Sequence, residues 1–301
     1  MSVTAESVKQ LRERTGAGMM ECKRALVETG GDLDAAAELM RKQGLAKADK
    51  KAARVAAEGV IVIEKAADGR AAAMVEVNCE TDFVAREQDF RGFAADVARA
   101  ALAARVGTVE ALLAAKLPSG ETADERRRAL VAKIGENISV RRVVLVEAQG
   151  QLGAYIHGGR IGALVALDAG EADLARDLAM HVAASNPKYL SVAQVPADEV
   201  AKEREILTEQ AKGDPKNQGK PDNILAQIVE GKVRKALSEI TLLGQPFVRD
   251  DKQTIEKLLA GAKAKIVAFE RYEVGAGIEK RQDDFVAEVM AQVKGASGSK
   301  H

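Results

Sequence analysis

Few side chains in this sequence are of a type and spacing that could do chemistry: three histidines, two cysteines and one unusual tetrapeptide. Cys79 lies three residues before Asp82, which suits a thiol nucleophile with a carboxylate at hand, but no basic residue follows closely to lower the thiol's pKa. His181 falls on the apolar side of a helical stretch beside Val182, where a packed core histidine is expected. His157 abuts Gly158-Gly159 and is expected at an accessible turn, with turn capping as its plainer role; His301 is the last residue. There is no GxxxxGK[ST] phosphate loop, no GxGxxG after a strand, no GxSxG elbow and no HExxH pair. Cys22 and Cys79 stand in different segments and make no CxxC pair. No catalytic set, cofactor site or metal site is therefore expected.

The tetrapeptide is Thr81-Asp82-Phe83-Val84, which contains one of only six phenylalanines. Spacing alone points first to a ring folded into its own core, with Asp82 as the N-cap of the next helix. The other reading is an apolar wedge beside a carboxylate, the combination needed to pry at a partner's phosphate and magnesium site.

The elements that must position these residues can be read from periodicity. Residues 1–54 read as three short helices and a basic linker helix over 47–54. Val8 and Leu11 mark the first helix, and Met19, Cys22 and Leu26 the second. Leu33, Ala36, Ala37 and Met40 mark the third, with Asp32 as its N-cap and Gly44 as its end. A pattern then recurs. Segments 59–64 and 71–77 flank Asp68-Gly69, a favoured two-residue hairpin turn. Segment 143–147 opens a second copy, in which 153–157 and 160–167 flank Gly158-Gly159. A shift of 90 aligns Arg70 with Arg160, Val75 with Val165 and Val77 with Leu167. The helices that follow, 90–101 and 175–184, align at a shift of 85, so the first copy carries five extra residues, within 78–86. Loops on rigid scaffolds concentrate function, which makes this loop the prime candidate.

The second copy is interrupted by a helical hairpin over 197–240, with Leu225, Val229, Val233 and Ala236 on one stripe of its second arm. Two readings stand side by side: a charged protrusion packed on itself, or an arm for dimerisation or a partner. Residues 264–274 return as a strand, and 283–293 form a short amphipathic helix. The fold class is α+β. The expected division is 1–54, 55–142, 143–280 interrupted by 197–240, and 281–301.

The chain balances 45 Lys+Arg against 45 Asp+Glu and has 3% aromatic residues. A phosphate-tracking surface leaves a basic excess, and a single-strand platform wants stacking rings, so direct nucleic-acid binding is disfavoured. No apolar run is long enough to span a membrane. The N-terminus lacks a signal-peptide layout, and a cytoplasmic, reducing location is expected.

Six stretches, in order, closely resemble the bacterial elongation factor Ts family. They are Leu11-Arg12-Glu13-Arg14-Thr15-Gly16-Ala17-Gly18-Met19-Met20, Glu76-Val77-Asn78-Cys79-Glu80-Thr81-Asp82-Phe83-Val84-Ala85, Val131-Ala132-Lys133-Ile134-Gly135-Glu136-Asn137-Ile138, His181-Val182-Ala183-Ala184-Ser185, Leu243-Gly244-Gln245-Pro246-Phe247-Val248 and Glu273-Val274-Gly275-Ala276-Gly277-Ile278-Glu279-Lys280. The resemblance implies an N-terminal module similar to ubiquitin-associated domains, a two-subdomain α+β core with small antiparallel sheets, a helical-hairpin insertion and a C-terminal helical module. It implies a guanine-nucleotide exchange factor acting on elongation factor Tu, without covalent catalysis and without a cofactor. Thr81, Asp82, Phe83 and Val84 would disturb the partner's magnesium site, with Asp82 and Phe83 as the intruding pair. Met19, Met20 and Lys23 would belong to the N-terminal contact, and His157 and Ile240 to the contact of the second subdomain. A homodimer or 2:2 complex through the hairpin is the associated assembly. A different class of function, an adaptor binding peptides through residues 1–45, predicts binding indifferent to Asp82 and Phe83. An enzyme using Cys79 predicts a reactive thiol.

Overall fold

Thr4 starts the first helix, α1 (Ala5–Thr15), through a reciprocal cap: its hydroxyl accepts from the Ser7 amide, and Ser7 Oγ accepts from the Thr4 amide. Gly16, at φ 67°, ends it in the left-handed conformation. Next come α2 (Met19–Glu28) and α3 (Leu33–Lys51); Asp32 caps α3 by accepting from the amides of Asp34 and Ala35. The computed structural model describes residues 3–279, so the helix expected over 283–293 lies outside the described residues.

The three helices close on Val8, Leu11, Cys22, Ala25, Leu26 and Ala36. So small a core needs support from elsewhere, and α3 supplies it. The helix does not stop at Gly44 but runs on to Lys51, taking in most of the stretch expected as a separate linker. Gly44 is kept for close approach: a Cβ there would lie 3.2 Å from the Cβ of Ala132 on a neighbouring helix. Farther along, Ala48 is buried in the main core and Lys51 Nζ donates to the carbonyl of Gly135.

The first sheet is built from β1 (Glu58–Lys65) and β2 (Ala71–Cys79), followed by α4 (Asp82–Arg86), α5 (Gln88–Ala104), α6 (Val109–Ala114), α7 (Ala123–Ile134) and β3 (Ser139–Glu147). The β1–β2 connection is longer than the expected Asp68-Gly69 turn. Ala66 N–H donates to Ala71 O, so residues 67–70 reverse the chain, with Gly69 at φ 71°. The strand order is β1-β2-β3, all antiparallel. Residues 143–147 therefore close the first sheet instead of opening the second, and that sheet extends past the boundary expected at 142. β2 is buried along its whole length, so its backbone groups need a strand on each side.

The second sheet repeats the scheme with β4 (Leu152–His157), β5 (Ile161–Leu167) and α8 (Ala172–Ser185), and the third strand comes much later in the chain. Between them lie the hairpin helices α9 (Ala197–Gly213) and α10 (Asp222–Ile240), the short strands β6 (Pro246–Phe247) and β7 (Asp250–Thr254), and α11 (Ile255–Ala262). Then β8 (Ile266–Glu273) pairs with β5, giving the order β4-β5-β8. The hairpin has its own small core of Val195, Ala211, Val229, Val233 and Leu237. Leu237 takes the buried place on the stripe where Ala236 was expected, being four residues on from Val233 and larger.

The two sheets pack directly on one another. Ile61, Met74, Leu152, Leu164 and Val274 share one buried cluster. Gly162 lets them meet, since a Cβ there would sit 2.5 Å from Ile61 Cγ2 and 2.8 Å from Met74 Sδ. At the joint, the fully buried carboxylate of Glu76 accepts from Arg141 Nη1 at 3.0 Å, Arg142 Nε at 2.6 Å and the Gly275 amide at 2.8 Å. A buried carboxylate is tolerated when its charge and its lone pairs are both answered in this way.

Candidate functional site

The ladder of β2 ends at Cys79, and the chain turns at once into the five-residue α4. Thr81, not Asp82, is the N-cap: its backbone is extended and its Oγ1 accepts from the Val84 amide at 3.4 Å. Asp82 is instead the first helical residue, and its Oδ2 accepts from Arg86 Nη2 at 2.8 Å. That exposed i,i+4 pair contributes about 0.3–0.5 kcal/mol and leaves the carboxylate half-exposed. Val84 and Ala85 are buried in the main core. In a helix this short, the residue before that buried pair points outward. Phe83 is accordingly 77% exposed, and the expectation of a ring folded into its own core is overturned.

The turn is held from behind by Glu136. Its Oε2 accepts from the amides of Glu80 and Thr81 at 3.1 and 3.0 Å, and its Oε1 from Thr81 Oγ1 at 2.7 Å. Glu80 reciprocates, its Oε1 accepting from the Asn137 amide at 2.6 Å. Asn137 Nδ2 donates to the carbonyls of Arg54 and Ala52, which ties the turn to the chain leaving α3. Neither glutamate was assigned a role from sequence. The only signal was Gly135-Glu136-Asn137, a helix stop followed by two strongly polar residues before a strand.

Met19 and Met20 open α2 and are 55% and 67% exposed. Met19 thus leaves the apolar stripe it was expected to mark, which Cys22, Ala25 and Leu26 form without it. Lys23, one turn on, is exposed as well. Lys133 reaches from the end of α1 to the start of α5. Lys133 Nζ is 2.5 Å from Asp89 Oδ2 at the start of α5, while its Cδ and Cε lie 3.7 Å from where a Cβ on Gly16 would stand.

His157 and Ile240 lie elsewhere, on separate elements of the second sheet unit. His157 is exposed at the tip of the β4–β5 hairpin, where Gly158 and Gly159 adopt φ 58° and 72°. Its ring stacks with Tyr155, whose hydroxyl is 3.3 Å from Nδ1. The Gly159 carbonyl accepts from the Ile61 amide at 2.8 Å, fixing the tip against the first sheet. Ile240 ends α10, half-buried against the hairpin core, and its carbonyl accepts from the amides of Lys188 and Tyr189.

Neither Cys79 nor His181 is placed for covalent chemistry. Cys79 is buried, and burial followed by the charges of Glu136 and Glu58 pushes its thiol up to about 12, so it stays protonated at neutral pH. His181 is fully buried. The Val248 amide donates to its Nδ1, which leaves Nε2 to donate to Gln245 Oε1 at 2.9 Å. Burial lowers its pKa from 6.5. A cleft of about 760 Å³ between α2, α3 and α7 mixes Glu21, Arg24, Arg41, Glu125 and Arg128, with no histidine, cysteine or serine in its lining. Among the described residues, no three His, Cys, Asp or Glu side chains are grouped to hold a metal ion. No helix among them is long and apolar enough to cross a membrane.

The family model described as Elongation factor TS matches residues 80–276, from the start of the Thr81 turn to just past β8. A protein from Methylococcus capsulatus named Elongation factor Ts is 58% identical over 295 residues, covering 98% of this chain and 99% of its own. The chain belongs to the elongation factor Ts family. Proteins of the same name from Francisella tularensis subsp. novicida and Thioalkalivibrio sulfidiphilus are 58% and 54% identical, each covering 98% of this chain. The family match takes in the first sheet unit from the end of β2 onward, the second sheet unit and the hairpin, and the full-length relatives extend it over β1, β2 and the N-terminal helices.

Proposed function

We propose that this protein is a guanine-nucleotide exchange factor that binds the GDP form of elongation factor Tu and speeds GDP release without covalent catalysis or a cofactor of its own. Family membership supports the partner. The observation that carries the mechanism is Phe83, a large apolar ring held 77% exposed on a turn that is hydrogen-bonded from behind. Burying such a ring on a partner contributes about 1.5–3 kcal/mol, and little is lost to ordering because the turn is already set.

A GTPase holds GDP through its backbone cradle and a magnesium ion bridging phosphate oxygens. Phe83 inserted between partner helices shifts the elements that hold the metal, and the half-exposed Asp82 carboxylate beside it disturbs the metal's ligands. Loss of the ion removes the main charge neutralising the diphosphate. Factor and nucleotide then weaken each other reciprocally, tenfold for each 1.4 kcal/mol of coupling. Met19, Met20 and Lys23 add the N-terminal contact, and His157 and Ile240 the distal one. The same reading places the protein in the cytoplasm, without direct nucleic-acid contact. The hairpin, with Ile206 and Ile224 exposed along it, is the arm for a homodimer or 2:2 complex.

The test is release of a fluorescent GDP analogue from elongation factor Tu, with the wild type and with Asp82→Ala/Phe83→Ala. We expect strong acceleration by the wild type and about a hundredfold loss in the variant, or about 2.7 kcal/mol. Acceleration that survives the double change moves the mechanism to the distal contacts. No acceleration by the wild type promotes the peptide-binding adaptor.

A further inference from the structure

We propose that Glu136 is a positioning residue for exchange: through Thr81 it holds the α4 turn in the one arrangement that presents Phe83 to the partner. This inference rests on the wedge reading above. Its basis is a handover at the end of β2. The ladder's last pairs are Asn78 with Ser139 and Cys79 with Glu58, so the next two amides, those of Glu80 and Thr81, have left the sheet. Both donate to Glu136 Oε2, and the Thr81 hydroxyl donates to Oε1. One carboxylate thus fixes two successive peptide units and the capping side chain of α4. Bonds to an ionised acceptor are about twice as strong as neutral ones, and they act on the residue immediately before the Asp82–Phe83 pair.

Glu136 is itself held. It follows Gly135, whose φ of 90° ends α7 and whose carbonyl accepts from Lys51, and it precedes Asn137, which is bound to Glu80 and to the carbonyls of Ala52 and Arg54. The clamp therefore sets the wedge relative to the chain that leaves the N-terminal helices. Two surfaces meant to reach one partner must keep a fixed mutual geometry, because a misplacement of about 1 Å can cost a hundredfold in rate.

The experiment measures the maximal rate of fluorescent GDP analogue release at saturating factor for Glu136→Ala and Glu136→Gln, each with Phe83 and with Phe83→Ala. Amide hydrogen exchange of the free protein is followed at residues 80, 81 and 84. Glu136→Ala is expected to lower the maximal rate about tenfold or more and to expose those amides. Glu136→Gln keeps most of the rate, because its amide oxygen accepts both N–H groups while its amide nitrogen donates to Thr81 Oγ1. In the Phe83→Ala background, Glu136→Ala is expected to cost less than about a further twofold, since the two act as one unit. A full, additive loss in that background overturns the proposal, and so does an undiminished rate in folded Glu136→Ala. If Glu136→Ala does not fold, Glu136→Asp, one methylene shorter, must lose rate where Gln keeps it. Release that depends on Phe83 but not on Glu136 sinks this inference alone, whereas release indifferent to Phe83 sinks the wedge reading with it.

Discussion

β1-β2-β3 with α5 and β4-β5-β8 with α8 share one connectivity, but they cross from middle strand to helix differently: over 80–87 in the first unit and over 168–171 in the second. The short crossing is used up in holding the sheet together. Asp168 donates its amide to Lys265 O, and its Oδ1 accepts from the Lys265 amide at 2.7 Å, which ties β5 to β8. In the long crossing a side chain, Glu136, takes over the backbone donors, and a one-turn helix holds a phenylalanine out in water. The second unit places its distinctive polar group inside instead, as His181 between Gln245 and Val248. The lesson is that a duplicated scaffold can expose an apolar ring without weakening its sheet, provided the extra residues bring their own hydrogen-bond partners.

Three measurements would break or sharpen this contrast. A large effect is expected at the joint between the units. Glu76→Ala leaves Arg141 and Arg142 without their shared carboxylate and should lower stability by about 3 kcal/mol in urea unfolding. A loss below about 1 kcal/mol would mean that the units are held by apolar packing alone.

Within the second unit, His181→Leu strands Gln245 Oε1 and the Val248 amide and should cost about 1–3 kcal/mol, while GDP release stays unchanged wherever the variant is folded. The pH dependence has a definite sign. Burial lowers the folded-state pKa from the ordinary 6.5, so the unfolded chain binds the proton more tightly. The stability contributed by neutral His181 is thus complete above about 6.5 and declines as pH falls below it toward the lowered folded value. The stability gap between wild type and His181→Leu should therefore be wider at about pH 7.5 than at about pH 5.5; a gap that widens on acidification would contradict the buried, neutral assignment.

The smallest effect is expected at the ring itself. Phe83→Ala should change thermal stability by under about 0.5 kcal/mol, whereas the buried Phe90→Ala should cost about 3–5 kcal/mol. Equal losses at the two positions would show that Phe83 packs on its own protein.

Much of the scaffold was legible from neighbouring residues alone. Asp32 as a cap, the Gly158-Gly159 reversal, the two arms of the hairpin and a buried His181 all follow from interactions within a turn or two of chain. The extra loop was found by laying one copy on the other. What was not legible depends on distant partners. Gly44 looked like a helix stop until Ala132 was seen beside it, 143–147 looked like a new beginning until β2 was seen to need a second neighbour, and Thr81 displaced Asp82 as cap with Glu136 holding its hydroxyl.

The sequence by itself therefore determined the α+β class, the repeated strand–helix units, the inserted hairpin and the extra residues after β2, because periodicity and turn chemistry are local. Only the tertiary structure decided that Phe83 and the two methionines face solvent, and that Glu136 holds the turn. Exposure and alignment are properties of packed surfaces, and the contacts that fix them here join residues more than fifty positions apart.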